Sequence, residues 1–339
     1  MKSFLKYSII YLIIIISIFF LSGCKKKASV VKEKTFVELN GKLQVKGTQL
    51  MNEKGDTLVL RGVSFGWHNF HPRFYTDSCV KWLSEDWKCS VVRAAMGVDP
   101  EKGYREDPEF GKKCVSTVVD AAIKEGIYVI IDFHSHKIHL NEAKTFFTDM
   151  ATKYKDSPNV IYEIFNEPDD TCNWPDVKAY SEEIIKIIRA IDPDNIILVG
   201  CPRWDQEVQL VAEDPIQGQT NIMYTMHFYA GTHKQWLRDR TDSVMAKGIP
   251  VFVSECAGME ATGDGPVDYK EWPAFLNWME DKNISWVVWS LSDKSETCSM
   301  LKHEASSNGF CPDELIKSWG MISRTAIRKG NVITKETEN

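Results

Sequence analysis

Two glutamates in this sequence stand where a buried strand gives way to a loop, a position in which carboxyl groups can do chemistry. Glu167 follows the β-branched and aromatic stretch 160–165 and precedes Pro168, which ends strand hydrogen bonding. Glu255 ends the similar stretch 250–254. Burying a carboxylate costs free energy, so buried carboxylates are found mostly at functional sites. The two glutamates therefore predict a pair that faces one reaction centre. Taken alone, Glu167 is equally well explained as a cap on the following helix.

The elements that position these glutamates alternate along the chain. Predicted strands cover residues 58–65, 89–96, 127–133, 160–165, 195–199, 222–228, 251–254 and 284–291. Predicted helices between them include 109–125, 142–154, 177–191, 234–247 and 269–282. Eight strands with short crossovers predict an α/β fold, the (β/α)8 TIM barrel, whose site lies at the strands' carboxyl ends. An open dinucleotide-binding sheet would need a glycine-rich first turn, which residues 66–70 do not provide.

Other polar and aromatic residues end the predicted strands. They are Arg93, His134, Asn166, His227, Tyr229 and Trp289. Each also has a structural explanation: Arg93 as a cation paired inside the barrel, His134 as a hydrogen-bonded core histidine, Trp289 as packing. Since all fall on one face of the predicted barrel, a shared site explains them better than chance.

The sequence around these residues resembles glycoside hydrolase family 5, within clan A, and most of all its bacterial endo-β-1,4-glucanases. The similar blocks are residues 91–96, 130–134, 166–168, 227–233, 254–255 and 286–294. The resemblance runs from about residue 43 to the last helix. It implies a retaining hydrolysis with Glu167 as the acid/base and Glu255 as the nucleophile. That division needs a protonated acid beside an ionised nucleophile.

The resemblance also implies roles for the substrate-binding residues. Arg93 and Tyr229 would stabilise the ionised Glu255, and Asn166 would contact the sugar 2-hydroxyl, while His134 and His227 complete the set. Trp289 would offer its ring to a sugar at the cleavage centre. Lys294 and Glu296 resemble contacts to a glucosyl unit on the non-reducing side.

Two departures from the family pattern concern aromatic rings. Residues 69–71 read Asn-Phe-His where similar enzymes tend to carry a tryptophan platform, and Phe133 replaces the usual tryptophan before His134. Phenylalanine and histidine offer less ring surface to a sugar than tryptophan does. Binding on that side is therefore expected to be weaker or differently selective.

The sequence therefore predicts an endo-acting β-1,4-glucanase that takes cellulose or related β-glucans. Alternatives on the same scaffold are a β-glycanase for mannan, xyloglucan or mixed-linkage glucan, or a non-catalytic glycan-binding lipoprotein. No cofactor motif or metal-ligand spacing is present. The net charge of −6 without a basic patch argues against nucleic acid as a partner, and we expect a monomer.

The amino terminus predicts export and attachment to a bacterial membrane. Lys2 and Lys6 precede an apolar run that ends in Leu-Ser-Gly before Cys24, as in a bacterial lipoprotein signal. We therefore assign residues 1–23 to a signal peptide and Cys24 to lipidation. Residues 24–40 form a tether, 41–330 the catalytic barrel and 331–339 a tail. A short hairpin that pairs residues 43–45 with 58–60 is expected to plug the bottom of the barrel.

Eight further cysteines follow Cys24 in this exported chain. Cys298 and Cys311 flank a Ser/Asn/Gly-rich loop and are the first candidates for a disulfide. Cys79 with Cys89, and Cys172 with Cys201, are weaker pairs. A domain of this size does not need disulfides, so free buried thiols are the alternative.

Overall fold

Eight parallel strands close into a barrel, as the alternation of elements predicts. The structure is a computed structural model that describes residues 34–99 and 101–336, with side chains as far as residue 331. Its strands are β1 (Gln44–Lys46), β2 (Gln49–Met51), β3 (Arg61–Phe65), β4 (Val91–Gly97), β5 (Tyr128–His134), β6 (Val160–Glu163), β7 (Ile196–Val199), β8 (Ile222–Thr225), β9 (Phe228–Tyr229), β10 (Val251–Ala257) and β11 (Trp286–Leu291). Parallel pairing runs from β3 to β8 and on through β10 to β11, which pairs back with β3. The short β9 lies beside the end of β10.

Helices cover the outside of the barrel and connect its strands. They are α1 (Phe36–Asn40), α2 (Asp77–Glu85), α3 (Pro108–Glu125), α4 (Leu140–Tyr154), α5 (Trp174–Ile191), α6 (Pro202–Asp205), α7 (Val208–Glu213), α8 (Ala230–Met245), α9 (Glu271–Asp281) and α10 (Ser318–Glu336). In α3 the Asp107 carboxylate caps the Phe110 N–H, and Gly126 takes a left-handed φ of 69° at the end. These are ordinary start and stop signals, so its predicted span is nearly correct.

Alternation along each strand divides the barrel interior into two layers. Near the amino ends the inward side chains are apolar, and Tyr128, Ile130 and Ile161 pack there against the hairpin residues Leu43 and Leu50. Two residues further along six of the eight strands the inward positions become polar, because side chains repeat every second residue. The buried residues of this upper layer are Ser64, Arg93, Asp132, Glu163, Thr225 and Ser254. The reaction centre is built on that layer.

The amino-terminal hairpin exists, but its second strand is not the predicted one. β1 pairs antiparallel with β2, with Gln44 opposite Met51, and Gly47 takes the positive φ that the turn requires. Residues 58–60 run instead straight into β3. The Asn52 side chain accepts the N–H groups of Lys54 and Asp56, so the turn at 52–56 is real but lies outside the hairpin.

The chain packs on the barrel earlier, and stays helical longer, than the predicted boundaries. α1 lies within the assigned tether, with a Thr35–Glu38 capping box and a bond from Val37 N–H to Gly126 O of 2.9 Å. α10 continues to Glu336, past the predicted barrel end at 330. The signal peptide and Cys24 lie outside the described residues. In the part of the chain described, none of the helices combines the length and the apolar character needed to cross a bilayer.

The predicted disulfides do not form. All eight cysteines after Cys24 are buried free thiols, Cys298 and Cys311 among them. The Cys79 thiol instead faces the Ser307 carbonyl, and the Cys256 thiol faces the Val287 carbonyl. The barrel core is large enough to hold the fold without cross-links, so the alternative of free buried thiols is correct.

Candidate active site

Glu167 and Glu255 meet at the carboxyl end of the barrel, as their positions predict. Glu167 lies four residues after the end of β6, and Glu255 lies on β10. One oxygen of each lies within 4.8 Å of the other and of a His227 ring nitrogen. Glu255 is only 4 % exposed, and the Glu167 side chain is 13 % exposed. The two carboxyl groups thus share one nearly dry centre.

Glu255 is held by two different donors, one on each oxygen. Arg93 Nη1 lies 3.0 Å from Oε2, and the Tyr229 hydroxyl donates to Oε1 at 2.8 Å. Burial raises the pKa of Glu255, and the charge of Glu167 raises it further, while Arg93 and Tyr229 oppose both. If Glu167 is protonated, it no longer raises the pKa of Glu255, and Arg93 and Tyr229 then favour the ionised form of Glu255.

Glu167 has a different partner, the imidazole of His227. His227 Nδ1 lies 2.9 Å from Glu167 Oε1, and Nε2 lies 2.8 Å from Ser254 Oγ. The predicted strand 222–228 breaks between β8 and β9, and His227 stands just before β9. Ser254 donates its proton to Glu163, so it accepts one from Nε2. The imidazole therefore carries a proton on Nε2, and a second proton is shared along the bond to Glu167.

The electrostatics of the free site place that shared proton on the imidazole. Burial alone would lower the pKa of His227, but the carboxyls of Asp205, Glu163 and Glu167 hold it well above its usual range. Burial likewise raises the pKa of Glu167, but the His227 hydrogen bond outweighs burial and leaves that pKa lowered. The resemblance implies a protonated Glu167. The lowered pKa of Glu167 and the raised pKa of His227 instead favour the proton on the imidazole, one hydrogen bond away from Glu167.

A metal ion is poorly matched to this trio of Glu167, His227 and Glu255. Both ring nitrogens of His227 already have hydrogen-bond partners, which leaves no free lone pair for coordination. The Arg93 guanidinium already supplies a cation to Glu255. The donor set is therefore suited to moving protons.

Arg93 and Asn166 form the floor of the centre. Arg93 is fully buried, and its Nε lies 2.6 Å from Glu163 Oε2 while Nη2 donates to Asn166 Oδ1 at 2.6 Å. A structural pairing of Arg93 thus exists alongside its contact with Glu255. The Asn166 amide nitrogen is buried without a hydrogen-bond partner among the described residues. Such a donor is costly to leave unpaired, so it is available to a ligand hydroxyl.

His134 and Trp289 lie together on the opposite wall. Their rings stack at a centroid distance of 5.2 Å and an angle of 9°. Asp132 fixes the histidine from below, with Oδ2 at 2.6 Å from His134 Nδ1. Burial, followed by the charge of Arg93, lowers the pKa of His134 well below its usual value, so this imidazole is neutral. His134 therefore both packs and orients the Trp289 ring.

Two cavities open on either side of Tyr229. The first, about 520 Å³, is lined by Trp67, Phe70, His71, Trp289, Lys294 and Glu296, among others. The second, about 430 Å³, is lined by Glu167, Trp204, Gln206, His227, Thr232 and His233, among others. Lys294 and Glu296 form an ion pair at the first cavity. Tyr229, Ala261 and Thr262 line both cavities, so the two adjoin beside the tyrosine that is bonded to Glu255.

Comparison with known proteins gives the family. Residues 51–295 match the model of the family described as cellulase (glycosyl hydrolase family 5). The chain belongs to glycosyl hydrolase family 5. A curated relative, an endoglucanase of Clostridium saccharobutylicum, is 39 % identical over 309 residues, which are 89 % of this chain and 68 % of that protein. Endoglucanase Z of Dickeya dadantii is 42 % identical over 84 % of this chain and 66 % of its own length. The chain thus spans about two thirds of these relatives.

Solved structures agree with this assignment to family 5. A structure from Cytophaga hutchinsonii has a TM-score of 0.88 and 43 % identity, and the match covers 90 % of this chain and all of the other. The catalytic domain of Thermobifida fusca endoglucanase Cel5A has a TM-score of 0.82 and 32 % identity, over 87 % of this chain and all of that domain. A variant of the Thermobifida domain was solved in complex with cellotetraose.

Several side chains of this family 5 site were not assigned roles from the sequence. Glu163 binds Arg93 and accepts the Ser254 proton, and strand alternation would have pointed it into the barrel beside Arg93. Asp205 and Trp204 come from the short α6, which has no strand or helix pattern to reveal it. Trp67 also lines the first cavity, so this loop does supply an indole although residues 69–71 do not.

Proposed function

We propose that this chain is a retaining, endo-acting glycoside hydrolase that cuts internal β-1,4-glucosidic bonds. The observation that carries the proposal is the pair Glu167 and Glu255, with oxygens within 4.8 Å and with unlike partners. Retaining enzymes hold their carboxyls about 5–5.5 Å apart, whereas inverting ones leave about 6.5–9.5 Å for a water molecule. The short separation supports retention.

The unlike partners support the division of roles. Glu255, held by the Arg93 guanidinium and the Tyr229 hydroxyl, is suited to remain a carboxylate and attack the anomeric carbon. Glu167, bonded to a titratable imidazole, is suited to give a proton to the leaving oxygen and later to take one from water. The glycosyl–Glu255 ester forms in the first step and is hydrolysed in the second, with the β-configuration restored.

His227 is the proton store in this scheme. Its Nδ1 proton lies on a 2.9 Å bond to Glu167, so it can pass to Glu167 and from there to the glycosidic oxygen as that oxygen gains negative charge during bond cleavage. The transfer leaves His227 neutral, still bonded to Ser254 through Nε2. The same transfer removes both the Glu167 charge that raises the pKa of Glu255 and the His227 charge that lowers it, so Arg93 and Tyr229 remain as the groups that favour the ionised nucleophile.

The two cavities accommodate the chain on both sides of the bond that is cut. The first offers the rings of Trp67, Phe70 and Trp289 for stacking on sugar faces, and the polar pair Lys294–Glu296 for hydroxyls. The second begins at Glu167, where the leaving group must lie. A cleft that continues past the centre in both directions suits an internal bond. A panel of soluble cellulose derivatives, mannan, xyloglucan and mixed-linkage glucan, assayed for reducing ends, distinguishes the substrate classes.

The mechanism is tested by two variants and one product analysis. Glu255→Gln is expected to lose nearly all activity on every substrate, because no nucleophile remains. Glu167→Gln is expected to keep activity on aryl cellobiosides with good leaving groups, and added azide should restore turnover with a β-configured product. NMR of the first product before mutarotation gives the anomer directly. An initial α-anomer from a β-glucan would overturn the mechanism and both role assignments.

We further propose that the enzyme is exported and held on a bacterial membrane through lipid on Cys24. The lipoprotein signal in residues 1–24 supports this proposal, and the lysine-rich segment after Cys24 gives the barrel a tether. A single acyl chain binds membranes only marginally, whereas two or more acyl chains give stable anchoring.

A further inference from the structure

Asp205 is a buried carboxyl at the reaction centre that the mechanism above does not use. It ends α6, just beyond the carboxyl end of β7, and has no exposed surface. Arg203, Trp204 and Asp205 take φ values of 58°, 53° and 59°, a left-handed turn of three successive non-glycine residues. The left-handed conformation is sterically unfavourable for residues with a Cβ, so such a turn persists only where the surroundings impose it. It places Trp204 at the second cavity and Asp205 in the interior.

The Asp205 carboxyl meets His227 from the side opposite Glu167. Its Oδ2 lies 3.3 Å from His227 Nε2. Its Oδ1 accepts the Cys201 N–H, and its Oδ2 is hydrogen-bonded to the Thr225 hydroxyl. His227 is therefore enclosed between Glu167 on Nδ1 and Asp205, with Ser254, on Nε2.

The hydrogen bonds accommodate Asp205 in either protonation state. Thr225 Oγ1 lies within hydrogen-bond distance of both Asp205 Oδ2 and the Val199 carbonyl oxygen, and its single proton can go to only one of them. An ionised Asp205 accepts that proton, whereas a protonated Asp205 can donate its own proton to Thr225, which then donates to Val199. Burial raises the pKa of Asp205 to about 8, although His227 and Thr225 oppose it.

Charge balance at the centre favours the protonated form of Asp205. Among the described residues, Arg93 and His227 are the buried cations that face these carboxyls; the buried His134 has a lowered pKa, and the partly exposed His136 lies 3.6 Å from Glu167. With every carboxyl ionised, the nearly dry cluster would carry an excess of negative charge, which is costly to bury. Protons must therefore be retained on some of them. The carboxyls are Asp132, Glu163, Glu167, Asp205 and Glu255.

We propose that Asp205 is a positioning residue that acts through His227 on the proton of Glu167. This inference rests on the proposed function. A neutral Asp205 leaves the shared proton free to pass to Glu167, whereas an ionised Asp205, 3.3 Å from Nε2, stabilises the imidazolium and keeps the proton on His227. Glu163 and Glu167 from the β6 side and Ser254 from β10 also face His227, and all three are retained in the Asp205 variants.

The test compares the alkaline limb of kcat/KM in the wild type and in Asp205→Asn, on cellotetraose. The amide can keep the Cys201 and Thr225 hydrogen bonds but cannot ionise. We take the ratio of kcat/KM in the variant to kcat/KM in the wild type and normalise it to its value well below pH 8. This ratio should rise about ten-fold by one pH unit above the Asp205 pKa of about 8. The reason is that a single ionisation in the wild type lowers its kcat/KM ten-fold per pH unit. Asp205→Ser, which also lacks a titrating carboxyl, is the second variant and should give the same rise.

Two further measurements separate this role from a structural one. On dinitrophenyl β-cellobioside the leaving group needs no proton, so the normalised ratio should stay flat with pH. Asp192→Asn is the matched control: Asp192 is 1 % exposed and is bonded to Tyr162 and Asn195, away from His227. A pH-independent ratio on cellotetraose, or an equal rise on the aryl substrate, would overturn the inference. A wild type that cleaves neither substrate would refute the proposed function itself.

Discussion

Tyr229→Phe removes one hydrogen bond from Glu255 and changes little else. The hydroxyl donates to Glu255 Oε1 at 2.8 Å, and Arg93 remains on Oε2 at 3.0 Å. The ring is retained, so its packing against the barrel core is preserved. A hydrogen bond to a charged group contributes about 1.5–3 kcal/mol, and here it stabilises only the ionised form of Glu255.

That energy sets the size and the pH dependence of the effect. Since 1.36 kcal/mol is a factor of ten, the ionised population of Glu255 below the acidic limb should fall about 10- to 150-fold. Losing a donor to the carboxylate raises the pKa of Glu255, so the acidic limb of kcat/KM moves to higher pH. The difference in kcat/KM between the wild type and Tyr229→Phe should become smaller at pH values above the shifted acidic limb, where Glu255 is ionised in both proteins.

The assay is kcat/KM against pH on dinitrophenyl β-cellobioside, where the acid is not needed and the acidic limb reports the nucleophile. Tyr180→Phe is the control, because it deletes a buried hydroxyl that donates to the Ile164 carbonyl at 2.7 Å, away from Glu255. Tyr180→Phe should lower the stability of the protein without moving the acidic limb of kcat/KM. An acidic limb that stays in place in Tyr229→Phe, or a loss equal at all pH values, would refute the assigned role of this hydroxyl.

The remaining predictions concern the cleft and the amino terminus. Phe70 is 58 % exposed at the first cavity, and its ring centroid lies 6.1 Å from that of Trp67. Phe70→Trp should therefore lower KM on cello-oligosaccharides by about five-fold, roughly 1 kcal/mol of stacking, with kcat little changed. An unchanged KM would mean that residue 70 does not contact sugar. Cys24→Ala should leave an unprocessed or mislocalised protein, followed by gel mobility and membrane fractionation, while the domain from about residue 34 stays active. Normal processing and membrane attachment of Cys24→Ala would contradict lipidation.

The two glutamates could be predicted from sequence because strand ends are marked locally. An apolar run that stops at Asn166-Glu167-Pro168 places the carboxyl beyond the last strand hydrogen bonds, and the structure keeps that order. The same strand-ending signals, repeated along the chain, predicted the barrel. His134, Tyr229 and Trp289 could be predicted because each lies at or near the end of its strand, whereas Arg93 lies near the start of β4 and reaches Glu255 through its long side chain.

The features that sequence reasoning missed depend on backbone geometry that residue types do not specify. The left-handed turn at Arg203–Asp205 carries no glycine, so nothing in the sequence signals that Asp205 turns inward. The hairpin partner was misassigned because the Asn52 turn is the stronger turn signal, although the chain reverses at Gly47. Cysteine spacing suggested bridges, but spacing along the chain does not determine whether two thiols meet.

One guanidinium contacts five neighbours in the polar layer of the barrel. Arg93 contacts Ser64, Asp132, Glu163, Glu255 and Asn166 at once. The effects of mutations at these positions on the free energy of unfolding will therefore not be additive, because each substitution changes how strongly Arg93 binds the remaining neighbours. During evolution, a substitution at one of these positions must therefore be accompanied by substitutions at the others. Double-mutant cycles centred on Arg93 would measure how strongly its neighbours constrain one another.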